Sequence, residues 1–369
     1  MRTSGLQICL TLISVTSLMM ASCSGNEPDS LAGTDNSKGT PLRFAVSQPR
    51  SKAAVTTESL RQFSVWANYR AIGAGQQVPW VPVFSGNDGK PAPEATVTKD
   101  PGTGAWGYGD VQYWYPGNSY SFQAFHAATD EGATAVTPTF NTTANNASHY
   151  LTLSDFNGTE GTDLLYAVDV RDYADTNSPS VVNLNFSHLT AKVVINGVID
   201  PVLPDGHTVT VTSVRLYGMN TRGSWSGLTF NPANGSAGVW TLNTTSSSTI
   251  SNPYAANTTA RTITKSTTPT DLIRNADNSG HDIMMLPQEI PVGSRVEIKY
   301  YNNNETETIH TVNLNIWTAS TQLAGGWKAG NTYRYTVTFG GSDYIIFDAP
   351  QVETWTDEGG GNIIIQKPA

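Results

Sequence analysis

Few residue patterns in this sequence could carry chemistry, and each is incomplete. Residues 102–107 (GTGAWG) match the glycine pattern of a dinucleotide-binding turn. That turn requires a strand before it and a helix after it. Here Pro101 precedes the glycines and an aromatic stretch follows them. We therefore interpret the segment as a loop that enters a strand, and we expect no cofactor.

Metal and catalytic motifs are similarly incomplete. The segment that starts at Asn275 begins like a calcium-binding loop, but its twelfth residue is Leu286, where such a loop needs a bidentate glutamate. The six histidines, at 126, 149, 188, 207, 281 and 310, form no compact metal-binding pattern. No nucleophile elbow or phosphate-binding lysine loop occurs. A pair of carboxylates needs no fixed spacing to form a glycosidase site, but nothing specific favours one, and we expect no enzyme.

Composition favours an exported, β-rich protein. Charged residues make up 14% of the chain, against about 25% in an average soluble protein. The 21 basic and 30 acidic residues give a net charge of −9, which argues against nucleic acid as a partner because phosphates require clustered basic side chains. The 33 glycines and 20 prolines leave little sequence for long helices.

The N-terminus has the pattern of a lipoprotein signal. Arg2 is followed by an apolar stretch and then by small residues directly before Cys23, as in a bacterial lipobox. We predict that residues 1–22 are removed and that Cys23 carries diacylglycerol and fatty acyl chains such as palmitate, which anchor the protein in a membrane. An ordinary cleaved signal peptide is the alternative. Residues 23–40 are polar and predict a flexible tether, in which Ser30 matches a short bacterial O-glycosylation acceptor.

The remaining chain alternates apolar and polar residues between turn-forming residues, which predicts an all-β fold. Strands are expected at 42–46, 63–69, 111–115, 120–125, 208–216, 296–301, 311–317, 333–339, 344–347 and 362–366. A turn at 175–179 and a change in texture predict two domains, at residues 41–182 and 183–369.

Four motifs, taken in order, resemble the Bacteroidales fimbrillin family, which forms the pili of Bacteroides- and Porphyromonas-type bacteria. They are FSVWANY at 63–69; YWYP at 113–116 with YSFQAF at 120–125; DLLYA at 163–167 with VNLNFSHLTAKVV at 182–194; and MLPQ at 285–288 with GNTYRY at 330–335 and VETW at 352–355. The resemblance implies two transthyretin-like β-sandwich domains in tandem. It also implies a surface pilus subunit that is exported as an outer-membrane lipoprotein, cleaved by an arginine-specific protease and polymerised with other subunits by strand exchange.

The resemblance directs attention to two segments. Arg50 follows Pro49 and precedes small, polar residues, so we predict an exposed loop there with cleavage after Arg50 and a new N-terminus at Ser51. At the other end, three glycines precede Ile363, Ile364 and Ile365. Isoleucine has high β propensity, so this run is the predicted donor strand. The alternative is an ordinary last strand that pairs within its own domain.

A different class of function remains open at this point. The nine tryptophans are compatible with a surface-anchored lipoprotein that binds glycans, because indole rings stack on sugars. Tryptophan also fills sandwich cores, and we favour that interpretation. A pilus subunit in turn implies an adhesion ligand on a host or bacterial surface, whose identity the sequence does not give.

Overall fold

The computed structural model describes residues 40–47, 60–75, 78–84, 94–128, 136–143, 148–158, 162–174, 181–234, 236–244, 254–255, 260–266, 268–273, 283–303, 305–314, 323–341 and 344–354. Within these ranges the regular backbone is β-strand, apart from a short 3₁₀ turn at Pro232–Asn234. The all-β prediction is confirmed. No helix in the described part of the chain is long and apolar enough to cross a membrane.

The strands are numbered in chain order. Those of the first half are β1 (Phe44–Ser47), β2 (Gln62–Ala71), β3 (Val81–Pro82), β4 (Glu94–Lys99), β5 (Trp106–Gly107), β6 (Asn118–Ala128), β7 (Thr139–Thr142), β8 (His149–Asn157), β9 (Asp163–Tyr173), β10 (Val182–Asn185) and β11 (Ser187–His188). Those of the second half are β12 (Ala191–Ile199), β13 (Thr208–Tyr217), β14 (Arg222–Ser226), β15 (Val239–Leu242), β16 (Tyr254–Ala255), β17 (Arg261–Thr264), β18 (Thr270–Asp271), β19 (Ile283–Met285), β20 (Arg295–Asn302), β21 (Glu307–Asn313), β22 (Asn331–Phe339), β23 (Ile345–Phe347) and β24 (Gln351–Thr354).

A seven-stranded sheet, here called the central sheet, has the order β11-β9-β6-β2-β4-β5, with β3 also paired to β2. Apolar side chains point to both of its faces. Along β2, Phe63, Val65 and Ala67 belong to one buried cluster, whereas Trp66 belongs to another. Side chains of successive strand residues point to opposite faces, so the central sheet has a core on each side.

The two faces have different covers. The first is packed by the segment at 40–47 and by β10, which pairs with β1 in parallel from Phe44↔Val182 to Ser47↔Asn185. The second is packed by a four-stranded sheet of order β15-β14-β8-β7, here called the bridging sheet. It joins β8 to β14, from Asn157↔Arg222 to Thr152↔Ser226. The predicted domain division after residue 182 stays a prediction, but strands from both sides of it share this sheet.

The second half of the chain contains a sandwich of two sheets. One has the order β18-β12-β22-β23, with β19 on β12 and β24 on β22; the other has the order β16-β13-β20-β21, with β17 on β13. Their inner faces form one core, in which Val193, Val214, Ile298 and Val337 are at most 1% exposed. Alternation of buried with partly exposed residues along β20 illustrates the half-buried pattern that its sequence predicts.

Most predicted strands are confirmed, with shifted ends. The prediction at 63–69 lies inside β2, and those at 208–216 and 333–339 lie inside β13 and β22. The prediction of a strand at 111–115 is wrong. The only β pairing there is an isolated bridge between Tyr113 and Pro41. The ladder does not continue because Arg43 of the segment bonds to Val182 of β10 instead. The predicted strand at 362–366 lies outside the described residues.

Candidate functional site

The first described segment of the chain is held along two separate edges. Leu42 donates its N–H to the carbonyl of Gln112 at 2.8 Å, and the N–H of Trp114 reaches the carbonyl of Thr40 at 3.0 Å. The following residues form β1 and pair with β10, where the N–H of Val182 donates to Arg43 at 2.9 Å. If the segment left, the residues at 112–114 and β10 would each lose a backbone partner.

The segment also fills a groove lined by aromatic rings, here called the first-strand groove. Leu42 is 2% and Phe44 is 5% exposed, whereas Arg43 points to solvent. The ring of Phe44 lies 5.4 Å from that of Tyr108, 6.0 Å from Phe122, 6.4 Å from Phe63 and 6.5 Å from Phe84, centroid to centroid. These distances are typical of packed aromatic pairs. Phe44 is therefore the main apolar anchor of the segment.

A tyrosine hydroxyl is hydrogen-bonded to the backbone of the same segment. The Tyr108 hydroxyl donates to the carbonyl of Leu42 at 2.7 Å and accepts the N–H of Gln112 at 3.3 Å. Burial raises the pKa of Tyr108 well above its ordinary value. The phenol therefore remains a protonated donor at physiological pH, and its bond to Leu42 does not depend on pH in that range.

The structure explains the aromatic motif at 113–125. Trp114 is buried and its ring meets that of Tyr120 at 4.6 Å, edge to face. The Tyr120 hydroxyl accepts the N–H of Tyr115 at 2.6 Å, and burial raises the pKa of Tyr120 to about 12. These contacts fix the edge at 112–114 against β6, so the motif builds one wall of the first-strand groove.

A buried hydrogen bond between Asp163 and His188 connects the two parts of the third motif. Asp163 accepts a bond from Nδ1 of His188 at 2.9 Å, and both side chains are at most 2% exposed. The other carboxylate oxygen, Oδ2 of Asp163, has no hydrogen-bond partner among the described residues. Burial lowers the pKa of the nearby His126, and the charge of Asp163 partly opposes this effect. The pair joins β9 to β11 at the edge of the central sheet.

In the fourth motif, Gln288 is hydrogen-bonded through both its side chain and its backbone. Its side-chain amide donates to the carbonyl of Asn220 at 2.9 Å, and its side-chain oxygen accepts the Asn220 N–H at 2.9 Å. Its backbone exchanges two hydrogen bonds with Trp327, at 2.8 and 2.9 Å. Gly326 has φ +74°, and a Cβ there would lie 2.0 Å from the Gln288 carbonyl, so only glycine fits. The motif is structural.

The end of the described chain is a weakly buried edge strand. β24 pairs antiparallel with β22, with Tyr333 opposite Val352. All four of its side chains, at 351–354, are exposed. Its attachment therefore depends on backbone hydrogen bonds, and detaching it would uncover little apolar side-chain surface of its own.

The predicted site residues lie outside the described residues. They are Cys23, Ser30, Arg50, Ser51, Ile363, Ile364 and Ile365. The roles given to them stay predictions. The described residues nearest to them are the two ends discussed above: β1 stops at Ser47, three residues before Arg50, and β24 ends at Thr354.

The glycine-rich segment at 102–107 forms the loop that its sequence predicts. At 100–104 the carboxylate of Asp100 accepts the N–H groups of Gly102 and Thr103, at 3.0 and 2.6 Å, which forms a turn that leads into β5. The calcium-like segment at 275–280 lies outside the described residues. Within the described ranges, no three histidine, cysteine or acidic side chains cluster as metal ligands.

Four tryptophans of the first half are used in packing. Trp66 and Trp114 are buried. Trp80 and Trp106 are partly buried, and each is covered by a cation, with Arg70 4.4 Å and Lys99 5.7 Å from the ring centroids. These positions favour the packing interpretation over a row of exposed sugar-stacking rings.

Sequence comparison identifies the family. A family model described as fimbrillin-like matches residues 81–355, which is more than half of the chain. No protein among curated sequences matches significantly.

The chain is also similar to solved structures, among them those of the following three proteins. A fimbrial protein from Bacteroides vulgatus is 15% identical with a TM-score of 0.53, over 86% of this chain and 99% of its own. A candidate cell adhesion protein from Bacteroides ovatus is 14% identical with a TM-score of 0.43, over 86% and 98%. The tip fimbrial protein Mfa3 from Porphyromonas gingivalis, with a C-terminal truncation, is 11% identical with a TM-score of 0.36, over 86% and 98%. At these identities the first comparison supports the β-sandwich fold alone.

The predicted family is therefore confirmed by a match that spans β3 to β24. Its members are fimbrial structural proteins, and it is not a family of enzymes. This supports the role of a surface-exposed pilus subunit for the protein described here. The chain belongs to the fimbrillin-like family.

Proposed function

We propose that this protein is a structural subunit of a surface pilus that polymerises when a neighbour's strand replaces its own first strand. The observation that carries the proposal is the first-strand groove. The groove is now occupied by residues 40–47, and the segment that connects them to β2 contains Arg50. Cleavage after Arg50 would convert residues 40–47 from a covalent part of the fold into a ligand held only by the contacts described above. An emptied groove then offers unpaired edges and apolar pockets to another strand.

The donor in this proposal is the segment from Val352 to Gln366. Its described part is an edge strand with exposed side chains, so little apolar burial opposes its release. Its remaining part contains the three consecutive isoleucines. Donation from one subunit to the next is head-to-tail, so each addition presents a new donor and the contact propagates as a filament. Export and outer-membrane anchoring through Cys23, with residues 1–22 removed, complete the proposal; adhesion to a host or bacterial surface is its expected role.

Cleavage at Arg50 and loss of the donor should each block polymer formation. We expect wild-type protein treated with an arginine-specific protease to form a ladder of polymers whose subunits begin at Ser51. Arg50→Ala should stay monomeric, whereas Arg61→Ala, a matched exposed arginine directly before β2, should polymerise normally. A chain that lacks residues 362–369 should fold, be cleaved and remain monomeric.

Gel electrophoresis and N-terminal sequencing give the readout for these variants. Polymers whose subunits start at Cys23 or Ser24 would contradict cleavage at Arg50. Normal polymerisation of the truncated chain would exclude the C-terminal segment as the donor.

The groove also predicts which isoleucines face inward. Leu42 and Phe44 are two residues apart and both point into the groove, so a replacement strand must offer large apolar side chains at the same spacing. Ile363 and Ile365 meet this requirement. The opposite register would bury the amides of Asn362 and Gln366 in an aromatic environment, which is unfavourable without hydrogen-bond partners. Here the joint is the contact between the donor strand of one subunit and the first-strand groove of the next. We expect Ile363→Thr and Ile365→Thr each to weaken the affinity of this joint about tenfold or more in subunit-exchange assays.

The matched control for this register is Ile364→Thr. Its side chain would point outward, as Arg43 does in the present structure, so the joint should keep its wild-type lifetime. A weaker joint in Ile364→Thr, together with no change in the other two variants, would show that the register is shifted by one residue.

A further inference from the structure

Strand exchange would uncover only one face of the central sheet. On β6, Tyr120, Phe122 and Ala124 face the first-strand groove, whereas Phe125 faces the bridging sheet. β9 divides in the same way, with Leu165 toward the groove and Tyr166 away from it. Loss of residues 40–47 therefore leaves the second core of the central sheet in place.

Two aromatic contacts join β14 and the connection from β14 to β15 to that second face. The ring of Tyr166 meets Trp225 at 4.8 Å and Phe230 at 4.6 Å, both edge to face. Trp240 donates its indole N–H to the carbonyl of Leu189 at 2.8 Å. Trp225 is 1% exposed and donates its own indole N–H to the carbonyl of Ala237 at 2.9 Å. The bridging sheet thus packs on the central sheet through apolar contacts and is hydrogen-bonded to Leu189, the residue that follows β11.

The local sequence around Trp225 is adapted to close packing. A Cβ at Gly227 would lie 2.8 Å from the Trp225 ring and 3.0 Å from the Tyr166 ring. Gly238 has φ +81°, and a Cβ there would lie 2.5 Å from the carbonyl of Ser226. Both glycines let backbone approach the indole more closely than any other residue would. This degree of fit indicates a rigid contact, because close-packed interiors transmit strain and resist deformation.

The pairing that builds the bridging sheet is independent of the first strand. β8 and β14 pair directly, and Arg222 and Asp155 form an ion pair between them. The apolar cluster that contains Trp225 shares no residue with the cluster that contains Phe44. The contacts on this side are therefore expected to persist when the groove is emptied.

We infer that the bridging sheet is a brace that keeps the central sheet in its binding-competent shape while the first-strand groove is empty. The role assigned to the brace rests on the proposed strand exchange, but its physical content is a coupling between Trp225 and groove binding. If the brace loosens, a smaller fraction of molecules has a formed groove, and the apparent affinity for any strand falls by that fraction.

The test measures strand binding in a protein cut between β1 and β2 while folded. A specific protease site is placed within residues 48–59, the released strand is displaced, and a fluorescent peptide with the sequence of residues 40–47 is titrated. Trp225→Phe is compared with Trp327→Phe. The two tryptophans are each 1% exposed and each donates one indole hydrogen bond, Trp327 to the Tyr335 hydroxyl at 3.1 Å, but Trp327 lies in the second-half core.

We expect Trp225→Phe to weaken peptide binding about tenfold, because Trp225 packs on Tyr166 of the central sheet. Trp327→Phe should change peptide binding less than about twofold, because Trp327 lies in the second-half core. Equal effects of the two variants would overturn the inference. Trp240→Phe provides a second variant should Trp225→Phe not fold when uncut, and it too should weaken peptide binding.

Hydrogen exchange separates this inference from the proposed function. In the cut wild type without peptide, the amides of β2 and β6 should remain protected, and in Trp225→Phe they should lose protection. Loss of protection in the wild type as soon as the strand is removed would refute the brace, whether or not the protein polymerises. A protected central sheet in a protein that fails to polymerise would refute the proposed function and leave the brace intact.

Discussion

Replacing His188 by leucine should lower the free energy of unfolding by about 1–3 kcal/mol, because it leaves a buried carboxyl group without its hydrogen-bond donor. Asp163 and His188 are almost inaccessible to water, and their bond of 2.9 Å is the hydrogen bond that Asp163 makes through Oδ1. Leucine would leave the carboxylate buried without that donor, and its Oδ2 already lacks a partner in the described structure. Urea denaturation of the whole chain at neutral pH measures the loss.

Two controls distinguish the pair from a general effect of replacing a buried histidine. His149 is also buried, its ring lies 4.9 Å from both Trp80 and Phe140, and its Nδ1 has no hydrogen-bond partner among the described residues. Burial, reinforced by the charge of Arg70, lowers the pKa of His149 to about 4, so it is neutral at physiological pH. His149→Leu should therefore cost much less than His188→Leu.

The second control removes both partners of the buried hydrogen bond. Asp163→Leu combined with His188→Leu should be more stable than His188→Leu alone, because exchanging a whole buried pair for apolar side chains is often neutral. A double variant that is no better than the single one would show that the pair is not the source of the loss.

Local patterns were sufficient to predict the strands, because alternation of apolar residues is a property of a few neighbouring residues. The strand predicted at 63–69 lies within β2 for this reason, and Phe63 and Trp66 lie on opposite faces of it. The order of four motifs was likewise sufficient to predict the family. Neither kind of pattern says which strands pair when they are far apart in the chain.

The bridging sheet is the clearest example of what local patterns omit. Asp155 and Arg222 are 67 residues apart in sequence, yet their strands pair directly. Exposed Asp and Arg side chains are common, and nothing near either residue identifies its partner. The pairing is decided by the apolar surface that β8 and β14 bury together against the central sheet.

The contacts that hold the first strand were also beyond prediction. Tyr108 reaches the backbone of Leu42 across 66 residues, and its sequence neighbours are glycines and an aspartate that suggest only a loop. The available signal is the aromatic richness of residues 106–125, in which strands are predicted at 111–115 and 120–125. At 111–115 that prediction is wrong, since the backbone there makes one isolated bridge to the segment at 40–42, which consists of two hydrogen bonds.

The second large effect is expected for Phe44→Ala, which removes the anchor of the first-strand groove. Phe44 is 5% exposed and packs against four aromatic rings. Truncation of a buried phenylalanine costs about 3–5 kcal/mol, from lost burial and from the cavity that remains. In the uncut chain this loss appears as a lower free energy of unfolding. The exposed neighbour Arg43 is the matched control, and Arg43→Ala should change stability by less than about 0.5 kcal/mol.

Cleavage turns the same substitution into a test of strand exchange. Once the chain is cut after Arg50, the loss falls on the non-covalent binding of residues 40–47, so the strand should leave roughly a hundredfold faster, which corresponds to about 3 kcal/mol. Polymerisation by Phe44→Ala should start earlier than in the wild type if departure of the strand limits its rate. The finished filaments should nevertheless resist denaturant as well as wild-type filaments do, because the substituted residue has left with its strand. Weaker filaments would mean that Phe44 is still in the groove within the polymer, and the proposed exchange would be wrong.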